Sequence, residues 1–218
     1  LDREVRKRLN ADVFLGLPAD EEARVSDIFP VSGSDRLFKI LPRLLFSRRT
    51  EGRVYRKVLF GGDSATAFKH PRDLGIHGVK NFNLASVHAM ELPWGNGIGN
   101  ARGLAKVYAA LACGGKIEDT RLVSEQAITP LLERQSWSDR DRVLCKPQGW
   151  SQGFAKEDTK IFSPNKESFG HPGAGGALGW CDPTQQLSIG YVPNKMAFHI
   201  RSPRARALVA AAYRSLAD

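Results

Sequence analysis

Apolar residues recur at helical spacing along several stretches of this chain. Leu1, Val5 and Leu9 stand four apart, the stripe of a short helix. Leu37, Ile40, Leu41, Leu44 and Leu45 form a second stripe, with Ser34 as its N-cap and Pro42 as a kink inside it. The clearest helix follows Asn100 as cap: Leu104, Val107, Tyr108, Leu111 and Ala112 share one face, and Gly114-Gly115 ends it. Ser124 opens a shorter helix with Ile128, Leu131 and Leu132, restarting at Thr129-Pro130. Ser202-Pro203 starts the last helix, with Ala205, Leu208, Val209, Ala212, Tyr213 and Leu216 on one side.

Between these stripes the pattern changes. Residues 12–18 are a short apolar run ended by Pro18, a strand or an extended segment, and the acids Asp20, Glu21 and Glu22 suit the start of a helical turn. Residues 61–100 are broken by glycine and proline and have little periodicity. A segment of this length with Phe82 and Trp94 in it predicts a packed irregular region beside a cleft. Residues 136–165 read as a loop with an apolar stretch around Trp150 and Phe154. Residues 177–180 and 186–192 flank the turn at Asp182-Pro183 and read as an antiparallel hairpin. The order predicts an α+β fold: a mostly helical and irregular part over 1–160, then the hairpin and final helix over 161–218.

Residues 167–180 concentrate the candidate chemistry. They hold five glycines in fourteen residues, around His171 and Pro172. Glycine weakens a strand, so glycines gathered in one imply a close approach to its backbone. Proline, lacking an N–H, places the strand at an edge or a bulge. An edge of bare backbone beside a histidine is a candidate wall for a substrate cleft; an ordinary tight connection is the plainer alternative.

Composition narrows the classes. Hydrophobic residues make up 42% of the 218 and charged residues 25%, as in a soluble globular protein. No apolar run approaches the roughly 20 residues of a membrane span. The net charge is +9. Lysines and arginines are spread along the chain without interleaved aromatics for stacking bases, so nucleic-acid binding is not expected. The basic stripe over residues 36–57 has two readings: a domain helix with a solvated face, the commoner case, or contact with an anionic membrane surface or an acidic partner. Cys113, Cys145 and Cys181 are odd in number and far apart, which fits a reducing, intracellular compartment better than a disulfide framework. The five histidines lack ligand spacing, so neither a metal nor a cofactor is expected.

Several of these pieces, in this order, resemble the serine β-lactamase-related family, which includes class C β-lactamases, related esterases and animal β-lactamase-like proteins. Residues 96–111 followed by Gly114-Gly115 resemble the family's helix after its irregular loop. Phe14-Leu15-Gly16-Leu17-Pro18 resembles the segment after the second catalytic motif, and residues 170–176 resemble the third motif, usually Lys- or His-Thr/Ser-Gly. The resemblance spans nearly the whole chain. It implies a β-lactamase/transpeptidase-like α+β fold, an antiparallel sheet packed by helices, with its N-terminal part absent. It implies a small-molecule acyl substrate attacked by a serine from Ser-x-x-Lys, assisted by a tyrosine. His171, Gly173, Ala174 and Gly175 would be the substrate-binding wall, with the Ala174 N–H as an oxyanion donor. Pro172 replaces the usual Thr or Ser, which disfavours a β-lactam and suits an ester or amide.

The first two motifs are missing. Ser163-Pro164-Asn165-Lys166 has the letters of Ser-x-x-Lys, but it stands directly before the third motif with no apolar helix behind it. Ser64 and Lys69 are five apart, off a shared helical face, and no Gly-x-Ser-x-Gly elbow exists. The chain opens on Leu1-Asp2-Arg3 rather than Met, which reads as mid-protein. The expectation is the C-terminal portion of a serine hydrolase, inactive alone and without a catalytic residue of its own. A non-catalytic binding or assembly protein on the same fold is the alternative.

Overall fold

The computed structural model describes residues 1–47, 50–156 and 160–216. The N-terminal stripe forms a π turn over Asp2–Arg6 continued by α1 (Lys7–Leu9), which buries Leu9. The run after it is extended: β1 (Val13–Phe14), followed by a 3-10 turn over the acids, Ala19–Arg24.

Next, α2 (Gly33–Asp35), a π segment (Arg36–Ile40) and α3 (Leu41–Phe46) run on as one helical length. Its cap is Ser32, not Ser34. Ser32 has the extended backbone an N-cap needs and accepts the Asp35 N–H at 3.1 Å, whereas Ser34 already lies inside the first turn. Pro42 does not split the helix. It falls in the first turn of α3, where the π pattern gives way to α, so its missing N–H interrupts little. α4 (Thr50–Phe60) folds back on this length, and the Arg56 guanidinium donates to the Leu44 and Ser47 carbonyls at 2.7 and 2.8 Å. Arg48 and Arg49, which belong to the basic stripe, lie outside the described residues.

The irregular region is packed, as its aromatics imply. It contains α5 (Asp63–Ala67), α6 (Ala85–His88) and β2 (Ile98–Gly99), which pairs antiparallel with β1. The buried Asn96 side chain holds it together, donating to the Val87 and Met90 carbonyls and accepting the Leu92 N–H. Then come α7 (Ala101–Ala112), a small hairpin of β3 (Lys116–Ile117) and β4 (Thr120–Arg121), and α8 (Glu125–Leu132). Asn100 and Ser124 cap the two helices by accepting the Gly103 and Ala127 N–H groups. α8 runs through Pro130 instead of restarting there, because so late in a short helix the ring removes a single hydrogen bond.

The stretch 136–165, read above as a loop, carries three strands: β5 (Ser136–Ser138), β6 (Gln148–Ser151) and β7 (Phe154–Lys156). They are short and largely polar, so no alternation announces them. The one local signal is Gln152-Gly153, both at positive φ (47° and 86°), the two-residue turn that matches strand twist. β8 (Phe169–Pro172), β9 (Leu178–Asp182) and β10 (Leu187–Tyr191) follow, and α9 (Pro203–Ser215) ends the fold. The six strands form one antiparallel sheet in the order β10-β9-β8-β7-β6-β5. β8 is therefore an interior strand, not the edge that Pro172 suggested.

Helices cover both faces of this sheet. Side chains alternate along β9: Leu178 and Trp180 pack on Ala205 and Val209 of α9, while Cys181 turns to Tyr108, Leu111 and Ile128 of α7 and α8. The strand glycines serve this packing. A methyl group on Gly179 would sit 2.0 Å from the Tyr108 ring, and one on Gly190 would sit 2.2 Å from the Ala101 carbonyl. What approaches that backbone is α7, so those glycines are explained by the core and not by a substrate.

The β9–β10 turn is held by Asp182, which is fully buried. Its Oδ2 accepts from Ser163 Oγ and Asn165 Nδ2, each at 2.8 Å, and from Tyr213 Oη at 2.5 Å.

Candidate active site

His171 is the last residue but one of β8, and Gly173, Ala174 and Gly175 lie in the turn to β9, so one short segment carries all the candidate wall residues. β8 is paired with β9 along its whole length, from Phe169 with Cys181 to Pro172 with Leu178. On its other side it meets β7 through one pair, Ala155 with Gly170. From His171 onward that side carries no ladder partner among the described residues. An interior strand thus becomes locally one-sided at the motif.

The turn beyond it is a short 3-10 segment, Ala174–Gly176. Gly175 has φ +79°, and a methyl group on it would press to 2.8 Å from Met196, so a side chain is barred both by backbone conformation and by space. The turn is pinned from within and from outside. Gly173 N–H donates to the Ala177 carbonyl at 2.7 Å, Gly176 N–H to Gly173 at 3.2 Å, and the Gly175 carbonyl accepts Ala197 N–H at 2.7 Å. Ala174 is exposed, and its N–H makes no backbone hydrogen bond among the described residues. A helical segment leaves its first N–H groups unpaired, and here the Ala174 and Gly175 N–H groups make no backbone hydrogen bond among the described residues.

His171 stacks on Trp150, with ring centroids 5.8 Å apart and planes inclined by 30°. Desolvation on that side, with the positive charge of Arg201 second, pulls its pKa below the ordinary imidazole value. It is therefore neutral near pH 7. Behind it, burial pushes the Tyr108 hydroxyl pKa far up, while a hydrogen bond with the His171 backbone works in the opposite direction. Trp150, Tyr108 and Arg201 thus support the segment, and sequence reasoning did not single them out for it. Tyr108 read simply as a helix-face residue, Trp150 as part of a loop, and Arg201 carried no local signal.

A cleft of about 920 Å³ is lined by residues outside this segment. Phe46, Thr50 and Arg53 line one side, and His199, Arg201 and Arg206 line the other. Arg201 links the two places, since its charge reaches His171.

The serine candidates are occupied elsewhere. Ser163 is buried and donates to Asp182, and Lys166 is exposed beside Glu167, so the pair forms no nucleophile–base dyad. Ser64 is buried and donates to the Val143 carbonyl at 2.6 Å. Among the described residues no group of three or more His, Cys, Asp and Glu side chains is placed to hold a metal ion.

A sheet with helices on both faces, and a glycine turn after a histidine strand, are the marks of one class of protein. The family described as Beta-lactamase matches residues 10–213, and the chain belongs to that family. Among individual proteins, it is 34% identical over 106 residues to the Esterase/beta-lactamase LipL of Mycobacterium tuberculosis (strain ATCC 25618 / H37Rv), a match covering 49% of this chain and 24% of that protein. The crystal structure of a family VIII carboxylesterase is similar at TM-score 0.68 and 32% identity, over 97% of this chain and 50% of that one. A penicillin-binding protein homolog from Caulobacter crescentus is similar at TM-score 0.74 and 28% identity, over 99% and 51%. The chain thus spans about half the length of these solved relatives, and its match to LipL about a quarter of that protein. The resemblance seen in the motifs, and the α+β fold it implied, both hold.

Proposed function

We propose that residues 171–175 are the carbonyl-binding wall of a serine hydrolase that works through an acyl-enzyme, and that its nucleophilic serine lies outside these 218 residues. The observation that carries the reading is the Ala174 N–H: it belongs to an exposed residue one past the motif glycine and makes no backbone hydrogen bond among the described residues, while the Gly173 and Gly176 N–H groups on either side of the turn are engaged. A fixed backbone donor of this kind meets the negative charge that develops on a carbonyl oxygen under attack, without having to reorganise. His171, neutral beside Trp150, can hydrogen-bond a substrate oxygen without adding charge. Pro172 offers no hydroxyl for a substrate carboxylate, which favours an ester or amide over a β-lactam. The family VIII carboxylesterase among its relatives points the same way, while the Esterase/beta-lactamase LipL carries both substrate classes in its name.

Ala174→Pro is the direct test. Ala174 opens the 3-10 turn, where proline is tolerated, and Gly173 before it has the extended backbone (ψ 162°) a proline requires. In the whole protein this substitution should lower kcat on an activated ester about 10²–10³-fold, with KM and Tm nearly unchanged. Full activity in that variant would refute the assignment. Separately, a fluorophosphonate probe should label no serine of the 218-residue chain; a labelled serine within it would place the nucleophile here instead.

A further inference from the structure

We propose that the two packed helical lengths of residues 33–47 and 50–60 dock on an anionic phospholipid surface. This does not rest on the catalytic reading, since no residue of the motif takes part. The first observation is apolar. Phe38, Phe46 and Phe60 are 74%, 83% and 80% exposed, and Leu37, Leu45 and Leu59 are exposed beside them. Apolar side chains crowded on the surface of one supersecondary unit mark a place where something binds.

The second observation is charge. Residues 36–57 contain eight Lys and Arg against Glu51 alone, net +7 of the chain's +9. Counting Asp35, which pairs with Lys39, and leaving out Arg48 and Arg49, the described helical lengths still carry +4. Arg43, Arg56 and Lys57 donate to the carbonyls of Lys39, Leu44 and Arg142, which satisfies donors and leaves the charge in place. Charge decides between occupants. A second copy seated on the same face would set like charges against each other. A purely apolar partner would leave the cations desolvated and unmatched. An anionic bilayer answers both features at once: phenylalanine and leucine enter the acyl boundary while the adjoining cations meet headgroups.

No helix among the described residues is long and apolar enough to cross a membrane, so these helical lengths would lie on the surface. Phe46, Thr50 and Arg53 of the same helical lengths wall the 920 Å³ cleft, so docking would bring the mouth of that cleft to the lipid.

The test is co-sedimentation with phosphatidylcholine vesicles, with and without about 30 mol % phosphatidylserine. Both the 218-residue chain and the whole protein should pellet with the anionic vesicles and stay in solution with the neutral ones, and about 0.5 M salt should release them. Phe38→Ser with Phe46→Ser and Phe60→Ser should abolish binding while the circular dichroism melt stays in place. Arg36→Gln with Lys39→Gln should weaken binding about fivefold per cation. The lipid comparison needs no variant, so misfolding cannot obscure it. Absent binding, or binding indifferent to lipid charge, would overturn the proposal. So would self-association that the Phe substitutions abolish, which would assign the face to a second copy. Vesicle binding by the chain but not by the whole protein would also overturn it, by assigning the face to the rest of the molecule.

Discussion

His171 shows how one side chain acquires a site from its neighbours. Its ring stacks on Trp150 and feels the charge of Arg201, two residues brought in from other elements. The lowered pKa carries a sign that can be checked. The folded state prefers the neutral ring, so the unfolded chain binds the extra proton between the folded pKa and the ordinary value near 6.5. The stability this contributes is complete above about pH 6.5 and is lost as pH falls toward the folded pKa. An NMR titration should show the His171 ring protonating below the ordinary value near 6.5, and His171→Ala should flatten the pH dependence of urea stability in that window. A ring that titrates at or above 6.5 would contradict the stacked, desolvated geometry. The residue type was visible in the sequence, as was its glycine turn; the environment that sets its chemistry was not.

Between elements, the decisive contact is α7 on the sheet. Its stripe, its Asn100 cap and its glycine stop were all legible, because each depends on residues within a few positions of one another. What that face meets was not legible. Tyr108 lies flat enough on β9 that position 179 has no room for a side chain. Gly179→Ala should therefore destabilise by about 1–3 kcal/mol through overpacking, and Tyr108→Ala in the same chain should recover part of that loss. A urea denaturation series measures both, and additive losses would show that the two positions do not touch. The strands β5 to β7 went unread for the opposite reason. Sequences such as Ser136-Trp137-Ser138 have no pattern until a partner strand lies beside them.

In the molecule as a whole, Asp182 joins parts that are far apart in the chain. It ties the β9–β10 turn to residues 163–165 and to α9 through Tyr213. Burial alone would raise its pKa, but the hydrogen bonds from Tyr213, Asn165 and Ser163 prevail and hold it below the usual carboxylate value. Its contribution is thus present above about pH 3.8 and is lost as pH falls below it. Tyr213→Phe removes one bond to the carboxylate and should cost about 1.5–3 kcal/mol, with the acid transition moved upward. A variant as stable as the parent in urea at pH 7 would show that α9 is held by Ala205 and Val209 alone.

Local pattern was enough for the main helical stripes, the caps of α7 and α8, the β9–β10 hairpin and the resemblance of the chain to a known family, because those features depend on residues adjacent or nearly so. Pairing and burial depend on residues brought together from a distance. Only the folded chain could place β8 inside the sheet, close Ser163 onto Asp182, and show that α7, not a substrate, presses on Gly179. It likewise left the Ala174 N–H without a backbone partner among the described residues, since whether a donor is used depends on every neighbour that could reach it.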